Sequence, residues 1–326
     1  MRGSRGLLVS MNRFDVVVVG GGLRGMRAAL SAAAERPGAT VLCVEAAPHP
    51  GDDVRSQRSN GFVCELGPFA FTREDLDALL APLAAPPRVV SARAAARTGW
   101  LFDGEERRPL RVEPEPLSFP SGCEDLVQAY RRQLGEVLRL GRAVTSVAPR
   151  DDGALDVWLG GEAPTQLVAL EVVLATPDGA AARALAPFEP ELPQVAARIG
   201  LDERAFVWFG GVAAQAPELS GYGVLPHPSL ATDVAELIFC TEVFDRRAMP
   251  GRTLVRAEAL RAQSRDDAEL TRAVEAELRR WTDVTAAFGF SKVHRFHVPS
   301  PDGDAAECRA RIAEIVRRVS SLSEAP

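Results

Sequence analysis

The sequence predicts an α/β protein. It would hold a Rossmann-like nucleotide-binding domain built from separated segments and a smaller mixed α+β substrate-type domain. Three observations predict this. First, an apolar run, Phe14 to Val19, breaks at Gly20-Gly21-Gly22 and passes through an Ala-rich periodic stretch into a second apolar run. That is a β-turn-α-β unit, which closes as a right-handed parallel crossover. Second, the alternation stops after Glu45, so strands far along the chain must complete the first sheet. Third, Phe206 to Gly211, Glu236 to Thr241 and Thr253 to Ala259 read as strands of a second, antiparallel sheet.

Each element follows in order. Phe14 to Val19 is continuously apolar, as a strand buried on both faces should be. Leu23 to Arg36 is a good helix former that Pro37-Gly38 stops. Thr40 to Glu45 is the second strand. Ala46 to Ser59, rich in Pro, Gly, Asp and Arg, reads as loop. Phe62 to Glu65 is a short strand ending at Gly67-Pro68, and Glu74 to Leu83 a short helix that Pro86-Pro87 ends. Trp100 to Phe102 and Arg107 to Val112 suggest a hairpin around Asp103-Gly104. Glu124 to Leu138 is helical, Ala143 to Val147 and Ala154 to Leu159 look like paired strands, and Glu171 to Leu174 is another buried strand ending in Ala175-Thr176-Pro177. Asp178 to Leu185, Asp266 to Thr282 and Ala305 to Val319 are helices, and Lys292 to Val298 is a strand. The expected nucleotide-binding domain combines 12–70, 119–185 and 300–326; the substrate-type domain combines 71–118 and 186–299.

Composition narrows the function classes. The 326 residues carry 38 Lys+Arg against 44 Asp+Glu, a formal net charge of −6, which argues against nucleic-acid binding through a basic field. No uncharged apolar run approaches the ~18 residues of a membrane-spanning helix. Leu7-Leu8-Val9 is too short for a signal-peptide core, and Met11 is a candidate start. The five cysteines are scattered, with no CxxC pair, so neither a zinc site nor a disulfide framework is indicated. A reduced, cytoplasmic location is expected.

The pattern that carries chemistry is Gly20-x-Gly22-x-x-Gly25 between a strand and a helix. Gly20 permits the tight turn, Gly22 lets backbone approach a pyrophosphate, and Gly25 lets helix pack on strand. The helix N-terminus offers amides to phosphate oxygens. Glu45, 20 residues after Gly25 at the end of the second strand, is placed to hold ribose hydroxyls. The bland alternative is a Rossmann-like fold that keeps these glycines only for packing. Arg24, inside the loop, is expected to point to solvent. A nicotinamide dehydrogenase would continue alternating strands and helices after Glu45. The interruption here is typical of flavoproteins.

These residues resemble the protoporphyrinogen oxidase-like branch of the FAD-dependent amine oxidase superfamily. The resemblance is carried by Val17 to Gly25, Val44-Glu45 to Ser56, Glu65-Leu66-Gly67-Pro68, Phe119 to Leu126, Ala143 to Val147 and Val172 to Pro177. It continues in Leu219 to Pro226, Phe244-Asp245-Arg246-Arg247 and Pro250-Gly251. It implies an FAD-dependent oxidoreductase that abstracts hydride from a hydrophobic or carboxylated small molecule. It also implies that Gly20, Gly22 and Gly25 cradle the FAD pyrophosphate and Glu45 holds the ribose. Arg55 and Ser56 would then sit beside the diphosphate and flavin, Val144 or Val147 would contact adenine through backbone, and Ala175 and Thr176 would lie near the ribityl chain or ring. Arg97 would be the candidate to bind a substrate carboxylate.

The chain also departs from that pattern. His49 stands where the family has Arg, and Asp52 where it has a second Gly. Asp52 and Asp53 bring negative charge towards a diphosphate unless they turn away or meet Arg55. The stretch from Phe71 to Phe119 is short for the family's helical insertion, and its glycine-rich C-terminal flavin-covering segment is not recognisable. Two expectations follow: a degenerate, non-catalytic homologue that serves as a binding or assembly partner, or a site completed by a partner chain. Other constellations carry little. His294 and His297 lie on a strand and point to opposite faces, so no metal site is expected. No Gly-x-Ser-x-Gly elbow supports a hydrolase. Asp151-Asp152 and Asp266-Asp267 fit turns and caps. Arg131-Arg132 and Arg317-Arg318 fit solvated helix faces, and the four tryptophans fit packing.

Overall fold

The computed structural model describes residues 12–52, 54–161, 164–300 and 304–321. Asp53, the candidate start at Met11 and the last five residues lie outside them. Two sheets organise the chain. The first has six strands in the order β10-β11-β12-β1-β2-β9. These are β1 (Arg13–Val19), β2 (Val41–Val44), β9 (Leu138–Arg139), β10 (Val144–Pro149), β11 (Leu155–Leu159) and β12 (Thr165–Leu174). β12, β1, β2 and β9 run parallel, and β11 and β10 are antiparallel additions.

The continuous apolar run of β1 has a direct cause in the layering. Val17 and Val19 face a core shared with α4 (Asp178–Ala184), α5 (Leu192–Ala197) and α8 (Asp304–Ser321). Val16 and Val18 face the opposite core, with α1 (Leu23–Glu35) and α3 (Glu124–Leu134). Val16, Val17 and Val18 are fully buried, each worth about 1.5–3 kcal/mol of transfer free energy. The helix α5, in a stretch the sequence assigned to the other domain, adds Leu192 and Val195 to the first core, and Ile199 just after it joins them.

The second sheet has seven strands in the order β17-β13-β16-β15-β14-β6-β7. They are β6 (Thr98–Phe102), β7 (Arg107–Arg111), β13 (Leu201–Val212), β14 (Gly223–Pro226), β15 (Val234–Phe239), β16 (Arg252–Ala259) and β17 (Phe290–Pro299). Pro109 sits in β7, the last strand, where a missing ladder donor is harmless. One face packs on α7 (Asp267–Thr282) through Leu270, Val274, Leu278 and Trp281. The other face meets the hairpin β3 (Ser56–Ser59) and β4 (Phe62–Glu65) together with α6 (Cys240–Val243). α2 (Arg73–Leu80) and the short pair β5 (Val90–Ser91) and β8 (Leu117–Ser118) join the two halves.

Three local expectations are corrected. Ser56 to Ser59, read as loop, is a strand, because Asn60 (φ 49°) and Gly61 (φ 82°) form a two-residue turn whose twist suits a hairpin. The helix from Glu124 stops at Leu134, where Gly135 takes φ 52°, and Leu138–Arg139 becomes β9. The strand expected from Glu171 begins at Thr165, because β12 pairs first with β11 and then with β1.

Candidate nucleotide cleft

The glycines after β1 do different jobs. Gly20 has φ 108°, and a Cβ there would lie 2.5 Å from the Ala175 carbonyl oxygen. At Gly21 it would lie 2.6 Å from Glu45 Cβ, and at Gly25 1.8 Å from the Gly20 carbonyl oxygen. Those three glycines are required by packing alone. Gly22 is different. Its φ of −67° suits any residue, and its nearest neighbour would be Asp52 Cβ at 3.4 Å, an ordinary contact. Nothing in the fold demands a glycine there, so the space beside it is left over. Gly22 is also the N-cap of α1, with no side-chain cap and no acid in the first turn. A serine or aspartate would cap this helix better, whereas an uncapped turn leaves its amides and the positive end of the helix dipole to an anion.

That space opens into a cavity of about 460 Å³ at the carboxyl ends of β1 and β2. Gly20, Gly22, Glu45, Val144, Ala175 and Thr176 all line it. Glu45 is held by two backbone amides: Gly21 N–H donates to Oε2 at 2.6 Å and Ala47 N–H to Oε1 at 2.7 Å. The carboxylate therefore reaches the cavity already oriented, with lone pairs left for hydroxyl groups. Thr176 Oγ1 is buried and has no hydrogen-bond partner among the described residues, a polar atom in want of one. Behind the loop, burial and the charge of Glu45 push the Cys43 thiol up to about 12, so it stays a thiol, and its Sγ lies 3.5 Å from the Gly20 carbonyl oxygen.

The remaining sequence candidates lie elsewhere. Arg55 meets His49 through Nη1, and its buried Nε has no hydrogen-bond partner among the described residues. Ser56 serves the start of α3: its hydroxyl donates to Glu65 Oε2 at 2.7 Å and accepts from Glu124 N–H at 3.1 Å. Glu65 also accepts from Cys123 N–H at 3.1 Å and lies 3.8 Å from Arg247 Nε. Burial, more than Arg247 opposes it, pushes the Glu65 carboxyl up. Arg97 is exposed and paired with Glu115 at 3.0 Å. It does not line the aromatic cavity of about 410 Å³ formed by Phe71, Trp100, Tyr222 and Glu236. Arg24 is exposed, and neither it nor His49 enters the nucleotide cleft. Asp52 does line it, with φ 56°. The sequence reading missed Thr145, Ala180 and Arg183, which also line it. Arg183 belongs to the helix that opens after Ala175-Thr176-Pro177, and a strand-to-helix step at a sheet's carboxyl edge was the available signal. Among the described residues no group of His, Cys, Asp and Glu could hold a metal ion, and no helix is long and apolar enough to cross a membrane.

The cleft fits a dinucleotide by its chemistry: oriented carboxylate, uncapped helix start, unpartnered threonine hydroxyl and a vacated glycine face. Comparison with known proteins agrees. The model of NAD(P)-binding Rossmann-like domains matches residues 18–83, and that of flavin containing amine oxidoreductases matches residues 73–310. Among solved structures, the chain is similar to "Putative protoporphyrinogen oxidase from Exiguobacterium sp. 255-15", at 17% identity and TM-score 0.76, covering 97% of this chain and 92% of that one. A reduced UDP-galactopyranose mutase aligns at 11% identity and TM-score 0.71, covering 95% and 89%. Cyclohexylamine oxidase from Brevibacterium oxydans IH-35A aligns at 13% and 0.68, covering 91% and 90%. At such identities these structures establish the shared fold.

Proposed function

The chain belongs to the flavin containing amine oxidoreductase family, and on that premise we propose that it takes hydride from a hydrophobic or carboxylated small molecule, as a protoporphyrinogen oxidase-like enzyme. FAD is the cofactor of this family, and when bound its ring supplies the hydride acceptor. The protein's share is to bind and orient. Gly22 and the start of α1 would receive the diphosphate, Glu45 the ribose hydroxyls, Thr176 a further polar group, and Val144 the adenine side of the cleft. The observation that carries the reading is Gly22, a glycine with no folding reason to be one.

The alternative expectation, a homologue that has lost its flavin, would suit a cleft plugged by side chains, and neither His49 nor Arg24 lines it. The test is anaerobic reduction. The FAD-loaded protein is mixed with hydrophobic amines, hydrophobic carboxylic acids and porphyrinogens, and the visible flavin band is followed. Bleaching by one class supports the proposal and names the substrate. A flavin reduced by dithionite but by none of these contradicts it.

A further inference from the structure

A cavity of about 810 Å³ shares no lining residue with the nucleotide cleft. It lies where the tip of the β3–β4 hairpin meets the turn between α6 and β16. Five arginines line it: Arg58, Arg93, Arg246, Arg247 and Arg252. Its acids are Glu242 and Asp245, and Asp245 is already taken by Arg93, with hydrogen bonds of 3.0 and 2.6 Å.

The other arginines are poorly matched. Arg58 donates to the Ser121 carbonyl oxygen. Arg252 sits over the Phe62 ring at 5.9 Å. Neither it nor Arg246 has a carboxylate partner among the described residues. Arg247 is fully buried: its Nη2 donates to Ser118 Oγ at 2.8 Å and to the Phe119 carbonyl oxygen at 3.3 Å, and its Nε faces Glu65 at 3.8 Å, yet Nε and Nη1 have no hydrogen-bond partner among the described residues. A buried guanidinium with orphaned donors is costly, and such groups in native proteins call for a missing partner. Arg246 adds backbone strain, since it holds φ 62° without being glycine. Phe62, Phe244 and the exposed Met249 supply apolar wall.

We propose that this cavity is a second ligand site, for a small organic anion bearing two or more carboxylate or phosphate groups. Guanidinium forks suit both groups bidentately, and the volume lies in the usual range for small-molecule sites. Carboxylate and phosphate sources share this chemistry, so two probes separate them: isophthalate and inorganic pyrophosphate.

The experiment is calorimetric titration of the full chain with each probe, with sulfate at matched ionic strength as the reference. Saturable binding of either probe, well above sulfate, is expected, and the tighter probe names the source. Arg252→Glu should weaken it about tenfold or more, as for a lost charged hydrogen bond. Arg246→Gly is the sharper variant. It relieves the left-handed backbone, so the protein should be at least as stable, yet it should bind the anion more weakly. Flavin content should be unchanged in both. Binding no better than sulfate overturns the proposal. So does affinity untouched by both substitutions, or capture of an acidic peptide with neither small anion bound.

Discussion

Glycine is the residue on which the site is decided. Gly20 and Gly25 were assigned a turn and a helix–strand contact from the sequence, and the backbone bears this out: a positive φ at one, and at the other no room for a Cβ, which would lie 1.8 Å from the Gly20 carbonyl oxygen. Gly25→Ala is therefore predicted to push α1 off β1 and cost about 1–3 kcal/mol, as overpacking does; urea denaturation measures it, and an unchanged midpoint would refute the packing role. What the sequence left open was whether these glycines serve only packing, because the letter G is the same in both cases. Only the surroundings separate Gly22 from its neighbours. Glu45 was legible because its spacing from the loop is set by the length of α1. Arg55 and Ser56 were placed by resemblance to a pattern, and local competition decides their positions: His49 takes Arg55, and Glu65 and Glu124 take Ser56.

At the scale of elements, strong periodicity read true and short non-periodic strands did not. α7 spans Asp267–Thr282 behind a capping box, with Glu269 N–H donating to Asp266 Oδ1 at 2.8 Å. Asp266→Ala is predicted to lose about 1 kcal/mol without touching the cleft. Chemical denaturation should show that loss with flavin affinity unchanged, and a loss of flavin binding would contradict the separation of the two sheets' roles. β3 was hidden because Ser56-Gln57-Arg58-Ser59 is polar, although Asn60-Gly61 was a hairpin signal in plain sight. β9 was hidden in the tail of a helical pattern, since two residues joining a parallel sheet leave no period to read. β12 was cut short because its first half serves an antiparallel pair and its second half a parallel one.

For the molecule as a whole, the presence of a nucleotide sheet and a second sheet was readable because the first βαβ unit stops so early; that the second sheet is antiparallel except where β14 pairs parallel to β6 was not. How the halves meet was not readable. Glu65, Arg247 and Ser118 come from distant segments, and their meeting depends on three-dimensional packing that no local pattern records. The central claim concerns the cleft that this assembly leaves at Gly22. Its most direct measurement is an FAD titration, followed by the visible spectrum, of the wild-type chain and of Gly22→Val, with thermal unfolding in parallel. The account predicts that wild type binds FAD, and that Gly22→Val folds with nearly the same stability but does not bind it. A variant that binds FAD as well as wild type does, or a wild-type chain that stays colourless with FAD and any co-purifying partner, would contradict it.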